Sequence, residues 1–356
     1  MSGSRRVASR CDWSVLAVAK QSTGILGTGS YLPKEEVANE EVAAKAGVTA
    51  EWIQRKTQIS SRRYAAPDEA TSDLAVRAAR NALSQARVDV SQIGYIIVAT
   101  STGDSPQPPT SYLVQDSLGG HGAACFDINV VCSGFVYGLA LAHSLVRLRP
   151  DTCALVVGAD VYSRILDVTD RRTAVLFGDG AGAAVVGPVP ERSGIIGFDL
   201  SSDGAASQLI RVKAGGSRLP ASHETVAAGD HYFRMDGRGV TNYVMEHVPH
   251  VLRSLLGRAG FGPHQVDVFV PHQANGVLLT ELIQRSGLTG ARTPRTLERY
   301  GNVGSASVPV ALDEANRSGL IKDGDLVLLA GFGGGMSIGA CLLHWSAPTV
   351  PVSREA

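Results

Sequence analysis

Gln92-Ile-Gly-Tyr-Ile-Ile-Val98 returns roughly 170 residues later as Gln265-Val-Asp-Val-Phe-Val270, and this pair decides the fold. Each is a short β-branched apolar run, the pattern of a buried strand. Two more pairs recur at nearly the same offset and in the same order. Gly24-Ile-Leu-Gly27 matches Gly194-Ile-Ile-Gly197, and Cys153-Ala-Leu-Val-Val-Gly158 matches Asp325-Leu-Val-Leu-Leu-Ala330. Buried strands resemble one another singly, but chance does not give three of them one spacing. The chain therefore reads as a duplicated α/β protein, with strands and helices alternating in each half as they do around parallel sheets.

The expected divisions are a disordered leader over 1–22, a first half over 23–190, a second half over 191–346 and a tail over 347–356. Ser72 to Ala86 reads as an amphipathic helix capped by Ser72 or Asp73, and Ser307 to Ser318 as another, ended by Gly319. Ser133 to Leu148 is apolar nearly all round and is expected to be buried.

Composition narrows the function. Lysine plus arginine and aspartate plus glutamate stand at 33 each, so nothing favours nucleic acid or an anionic membrane as partner. The five cysteines form no C-x-x-C pair and no disulfide framework, which suits a reducing cytoplasm. No apolar run approaches the roughly 18 residues of a membrane span. Arg5, Arg6 and Arg10 precede Val15-Leu-Ala-Val-Ala19, but that run is too short for a signal peptide and Lys20 follows at once.

Three residues carry the chemistry, each at the end of an expected strand. They are Cys132 in Asp127-Ile-Asn-Val-Val-Cys132-Ser-Gly-Phe135, His272 in Val270-Pro-His272-Gln-Ala-Asn275, and Asn302 in Tyr300-Gly-Asn302-Val-Gly304. A thiol can attack an acyl group while an imidazole and a carboxamide donate hydrogen bonds to an oxygen that becomes negative. Cys132 stands between a strand and a helix start, where the helix dipole is expected to draw its pKa below the free value of about 8.5. Cys125 and Cys153 lie inside apolar strands and read as structural. Gly27-Thr-Gly29, Gly178-Asp-Gly-Ala-Gly182 and Gly331-Phe-Gly-Gly-Gly335 match no nucleotide-binding loop. The last of these could aim backbone N–H groups at a thioester oxygen. No metal and no tightly bound cofactor are expected.

These motifs resemble β-ketoacyl-acyl-carrier-protein synthase III, within the thiolase-like superfamily. The likeness rests on Gly27-Thr-Gly-Ser-Tyr-Leu-Pro33, Cys132-Ser-Gly-Phe135, Asp167-Val-Thr-Asp-Arg171, Phe177-Gly-Asp-Gly-Ala-Gly182, Val270-Pro-His-Gln-Ala-Asn275, Tyr300-Gly-Asn-Val303 and Gly331-Phe-Gly-Gly-Gly335. It implies a five-layered αβαβα fold of two similar halves, a homodimer, and a priming condensation for fatty acids or polyketides. Cys132 would take an acyl group from acyl-CoA, and a malonyl group on acyl carrier protein would then lose carbon dioxide and attack it. His272 and Asn302 would stabilise the enolate, and the N–H groups of Cys132 and Gly334 the oxyanion. Trp52 and Arg171 would sandwich the adenine of coenzyme A, Lys56 would stand near its phosphates, and Asn275 would contact its pantetheine arm.

The chain departs from the family at several points. Thr57-Gln58-Ile59 replaces Thr-Gly-Ile. The loop that gates the neighbouring subunit's acyl pocket reads Asp104-Ser-Pro-Gln107-Pro-Pro109, with Gln107 where an aromatic is common, which admits a longer or branched acyl group. Basic carrier-docking positions are Asn242, Val277 and Gln284, with only Arg285 left. The runner-up is an acyltransferase that moves an acyl group to a hydroxyl, amine or carrier thiol without decarboxylation. A papain-like protease shares the Cys, His, Asn order but not the duplicated layout, and a non-catalytic synthase subunit would have lost the thiol.

Overall fold

The computed structural model describes residues 22–346 apart from Arg192. The expected tail, and the leader as far as Gln21, lie outside the described residues. Ser22, assigned to the leader, already belongs to a strand. From it β1 (Ser22–Tyr31) leads to β2 (Glu35–Ala38), α1 (Asn39–Ala46), α2 (Ala50–Thr57) and β3 (Ser61–Tyr64). Next come α3 (Thr71–Ala86), β4 (Ile93–Ala99), α4 (Thr110–Leu118), β5 (Ala124–Ile128), α5 (Gly134–Leu148), β6 (Cys153–Val161) and β7 (Asp179–Val189). The remainder begins with β8 (Gly194–Ser202), β9 (Ile210–Val212), α6 (His223–Ala227), β10 (Phe233–Met235), α7 (Gly237–Arg258) and β11 (Val268–Pro271). It closes with α8 (Gly276–Ser286), α9 (Leu297–Tyr300), α10 (Ser307–Arg317), β12 (Leu326–Gly333) and β13 (Ser337–His344).

Of the two large sheets, one runs β1-β7-β6-β4-β5 and the other β11-β12-β13-β8, while β10-β9 and β2-β3 form two-stranded ribbons. The three repeated sequence pairs are β4 with β11, β6 with β12 and β1 with β8, and each pair holds the same rank in its sheet. Where β5 would have a counterpart beside β11, only an isolated bridge from Arg292 to Val268 remains. The sheets are mixed rather than parallel. β4, β5 and β6 are parallel, as are β11 and β12, but β7 and β13 enter antiparallel to their neighbours. Each follows its sheet partner directly in sequence order, a connection that needs no crossover helix.

Three large apolar clusters give five layers. α3 covers the outer face of the first sheet through Leu74, Ala78 and Ala82. α7 and α8 cover the outer face of the second through Val248, Leu252 and Leu282. Between the inner faces lie α5, with Phe135 and Leu139, and α10, with Val308 and Leu312. Such a sandwich explains the Gly-Ala run of β7, since a Cβ on Gly182 would lie 2.7 Å from the backbone nitrogen of Val310. The segment Val131–Leu148 is apolar enough to cross a bilayer by composition, with mean hydropathy 1.4, yet half of it is buried between the sheets. Its outward residues Leu141 and Leu148 are 40% and 62% exposed, so α5 is not buried all round. The cap of α3 also differs from expectation: Ala70 precedes the helix, and the Asp73 carboxylate reaches back to accept from its N–H at 2.8 Å.

Candidate active site

Val131 has φ +46°, a left-handed conformation that a β-branched residue adopts only at a cost of about 1–3 kcal/mol. The turn Val131–Ser133 is held against β13 by serines. Ser337 Oγ donates to Ser133 Oγ at 3.0 Å, and Ser133 Oγ donates to the Ser337 carbonyl at 3.1 Å. β12 presents alternate glycines to the same turn, as the two-residue period of a strand requires. A Cβ on Gly331 would lie 2.8 Å from Ser133 Cα, and one on Gly333 would lie 2.7 Å from Cys132 Cβ and 3.0 Å from its Sγ. The strand thus runs through to Gly333 rather than stopping at Ala330, and its missing side chains make room for the thiol. Gly334, one step further, lies against Val131 and Ile210.

His272 follows β11 directly. Its N–H donates to the Ala330 carbonyl at 2.7 Å, and its ring meets Phe332 edge-on at 5.3 Å. The side chain is buried and Nδ1 has no protein partner. Burial lowers its pKa to about 3, which leaves the imidazole neutral with one N–H to donate. Gln273 fixes the loop by bonding the Pro271 carbonyl and accepting from Thr296 N–H.

Asn302 is clamped along its backbone, its N–H donating to Leu176 and its carbonyl accepting from Gly178. Its Oδ1 accepts from Gly304 N–H at 3.0 Å. That bond orients the carboxamide, and among the described residues its NH₂ has no protein acceptor. Cys132, His272 and Asn302 all line one cavity of about 40 Å³, closed by Tyr162, Phe177 and Phe233. That volume admits little more than a water or two.

This apolar enclosure overturns the expectation for Cys132. Burial, and then the nearby Asp160, push the thiol well above its ordinary range, while its own backbone N–H pulls down less. A helix terminus supplies at most about 2 kcal/mol, less than burying a thiolate costs. Cys132 itself sits in the 3-10 turn Val131–Ser133, which runs directly into α5 at Gly134. At rest the nucleophile is a neutral thiol.

Of the residues expected at coenzyme A, Trp52, Lys56, Arg171 and Asn275, none lines the thiol cavity. Trp52 is half-buried in α2, and Lys56 and Arg171 are exposed. No cation–π contact among the described residues joins Trp52 to Arg171. Asn275 caps α8, its side chain accepting from Leu278 N–H at 2.9 Å, so one end of the amide is already engaged. Gln58, at the family's glycine position, keeps a left-handed φ of +60° and packs its carboxamide onto Gly276, joining α2 to α8. Gln107 is exposed and does not line the cavity.

Sequence reading missed a second, wider cavity of about 600 Å³, lined by Arg172, Arg211, Arg234 and Arg238 and sharing Met235 with the thiol cavity. Arg234 is paired with Asp167 and Asp170. The other three arginines make no ion pair among the described residues, and they come from three separate segments. No local motif announces them.

Two α/β halves stacked in five layers, with a thiol, a neutral imidazole and a carboxamide around one mostly apolar cavity, define a condensing enzyme of the thiolase-like class. Comparison with known proteins narrows this. Residues 126–204 match the model for 3-oxoacyl-[acyl-carrier-protein] synthase III, and residues 256–345 match its C-terminal model. The chain is 50% identical to acetoacetyl CoA synthase NphT7 of Streptomyces sp. (strain CL190), over 90% of this chain and 98% of that one. It is 44% identical to β-ketoacyl-[acyl-carrier-protein] synthase III of Caldanaerobacter subterraneus subsp. tengcongensis, over 92% and 99%. The crystal structure of 3-oxoacyl-(acyl carrier protein) synthase III, FabH, from Pseudomonas aeruginosa PAO1 superposes with a TM-score of 0.85 at 36% identity, covering 93% of this chain and 100% of that one. The chain belongs to the 3-oxoacyl-acyl-carrier-protein synthase III family.

Proposed function

We propose that the enzyme primes fatty acid or polyketide synthesis in two steps at Cys132. The thiol attacks the carbonyl of an acyl-CoA, the carbon–sulfur bond to coenzyme A breaks, and the proton leaves with the coenzyme A thiol. A malonyl thioester then enters, and the bond from its α-carbon to its carboxylate breaks to release carbon dioxide. His272 and Asn302 donate to the enolate oxygen so formed. The α-carbon attacks the acyl group on Cys132, giving a 3-oxoacyl thioester, and the sulfur recovers a proton. The observation that carries this reading is that the neutral imidazole and the oriented carboxamide share one mostly apolar cavity with the thiol. The small cavity favours a short acyl group in place of the longer or branched one that Gln107 suggested.

A second reading concerns the acceptor. Val277 is an exposed apolar residue at a carrier-docking position, and Arg285 is tied to Glu281 at 2.7 Å. The arginine-lined cavity beside the site instead suits the phosphates of a nucleotide, and one relative is named for a coenzyme A product. Malonyl-CoA is therefore an acceptor in its own right. Family membership also supports a cytoplasmic homodimer, in which the exposed Gln107 loop would be the segment to cross to the neighbour. Intact-protein mass after incubation with acyl-CoAs, for wild type and Cys132→Ala, tests the first step. Labelled carbon dioxide release from malonyl-CoA and from malonyl-carrier protein tests the second. An adduct that persists in Cys132→Ala, or an adduct without carbon dioxide release from either acceptor, overturns the reading.

A further inference from the structure

Asp160, at the end of β6, is fully buried and touches neither the thiol cavity nor solvent. Its Oδ2 accepts from both the N–H and the hydroxyl of Ser305 at 2.8 Å. Its Oδ1 accepts from Ser101 N–H and Thr102 Oγ1, each at 2.9 Å. Burial raises the pKa of this carboxyl group, and the donors around it pull in the opposite direction. The turn it grips is Gly304–Ala306, and Gly304 N–H is the group that fixes the Asn302 carboxamide. No slack exists there, because a Cβ on Gly304 would lie 2.4 Å from Asp160 Oδ2 and 2.4 Å from Tyr162.

A second line runs from the same carboxyl group to Asn302. Ser101 Oγ, which also contacts Oδ1, pairs with the Tyr162 hydroxyl at 2.9 Å. Tyr162 stacks on Phe177 at 4.6 Å, and Phe177 bridges to the backbone of Asn302.

The duplication explains why a carboxyl group stands there. Gly304-Ser305-Ala306 is the second-half counterpart of Val131-Cys132-Ser133, and β6 faces it as β12 faces the cysteine turn. Ser305 thus corresponds to Cys132, and its N–H to the one assigned to the oxyanion. Gly333 leaves that space open beside Cys132, whereas Asp160 fills it beside Ser305. We propose that Asp160 is a positioning residue for the condensation step, a buried carboxyl group in the disused copy of the site whose grip on Gly304 and Ser305 aims the Asn302 NH₂ at the enolate. This rests on the role given to Asn302 above.

The test separates the half-reactions in the full-length enzyme. Asp160→Asn keeps the volume but replaces one acceptor oxygen by a donor. Carbon dioxide release and condensation should fall on the order of 100-fold, the size of effect a misplaced group gives. Cys132 acylation, read by intact mass, should stay within a few-fold. In an Asn302→Ala background, Asp160→Asn should cost almost nothing more, because both changes remove one interaction. Ser305→Ala, which keeps the N–H bond and loses the hydroxyl, should show the same pattern with a smaller drop, and it carries the test if Asp160→Asn does not fold. Parallel losses of acylation and condensation, or additive losses with Asn302→Ala, would overturn the inference. If Asn302→Ala alone leaves condensation intact, the functional reading fails instead.

Discussion

Val131-Cys132-Ser133 and Gly304-Ser305-Ala306 are one turn built twice. Each opens on a residue of positive φ, +46° at Val131 and +59° at Gly304, and each launches a helix of the central layer. Each is also pressed by a glycine of the facing strand, Gly331 against the Cys132 carbonyl and Gly158 against that of Ser305. The difference that bears on the chemistry is one facing residue. Where the cysteine turn meets Gly333, the serine turn meets Asp160. One copy keeps an empty space for an acyl group, and the other fills it and becomes a brace. A duplicated fold can thus spend one copy on chemistry and the other on rigidity.

Filling the empty copy should have the largest effect. Gly333→Ala puts a methyl group 2.7 Å from Cys132 Cβ, and acylation should fall by about 100-fold or more, read by intact mass. Normal acylation in that variant would break the contrast between the turns. Asn302→Ala should lower condensation about 100-fold through the loss of one oxyanion donor, while acylation changes little. Labelled carbon dioxide release distinguishes the two steps.

Smaller effects follow from burial. Because Cys132 rests as a thiol, its alkylation by iodoacetamide at pH 7 should be at least about tenfold slower than that of a free cysteine. The rate should keep rising with pH past the point where a free thiol levels off. An ionisation below pH 7 in that profile would show a thiolate stabilised by the helix after all. His272 should give the smallest signal. Its folded pKa lies below the unfolded one, so the unfolded chain binds the proton first as pH falls. The stability due to the neutral ring is complete above about pH 6.5 and declines toward pH 3. The difference in Tm between wild type and His272→Asn should shift in that window, while condensation shows no His272 limb near 6.5.

Much of this was legible in the sequence because repetition is a long-range signal carried by local patterns. The offsets that paired Ile96 with Phe269 and Leu155 with Val327 also pair Cys132 with Ser305. Strand direction was not legible, since β7 and β13 have the same apolar texture whichever way they run. The pKa of Cys132 was misread because its surroundings are assembled from Phe177, Phe233 and Phe332, which no window around position 132 contains. Asp160 carries no signal in the sequence, because its partners lie on β4's exit and on the turn before α10. The glycines at 331 and 333 were visible, but their meaning needed the thiol beside them.

The arginine-lined cavity has a kinetic consequence. The whole chain is balanced at 33 charges of each sign, so no overall field draws an anionic thioester toward it. Arg172, Arg211 and Arg238 gather positive charge in the cavity next to the thiol site, where Asp170 and Asp236 also stand. A local field of this kind acts over about 8–10 Å at physiological ionic strength and speeds the final approach of a charged ligand. Adding salt should therefore slow the capture of acyl-CoA while leaving the turnover of bound substrate unchanged.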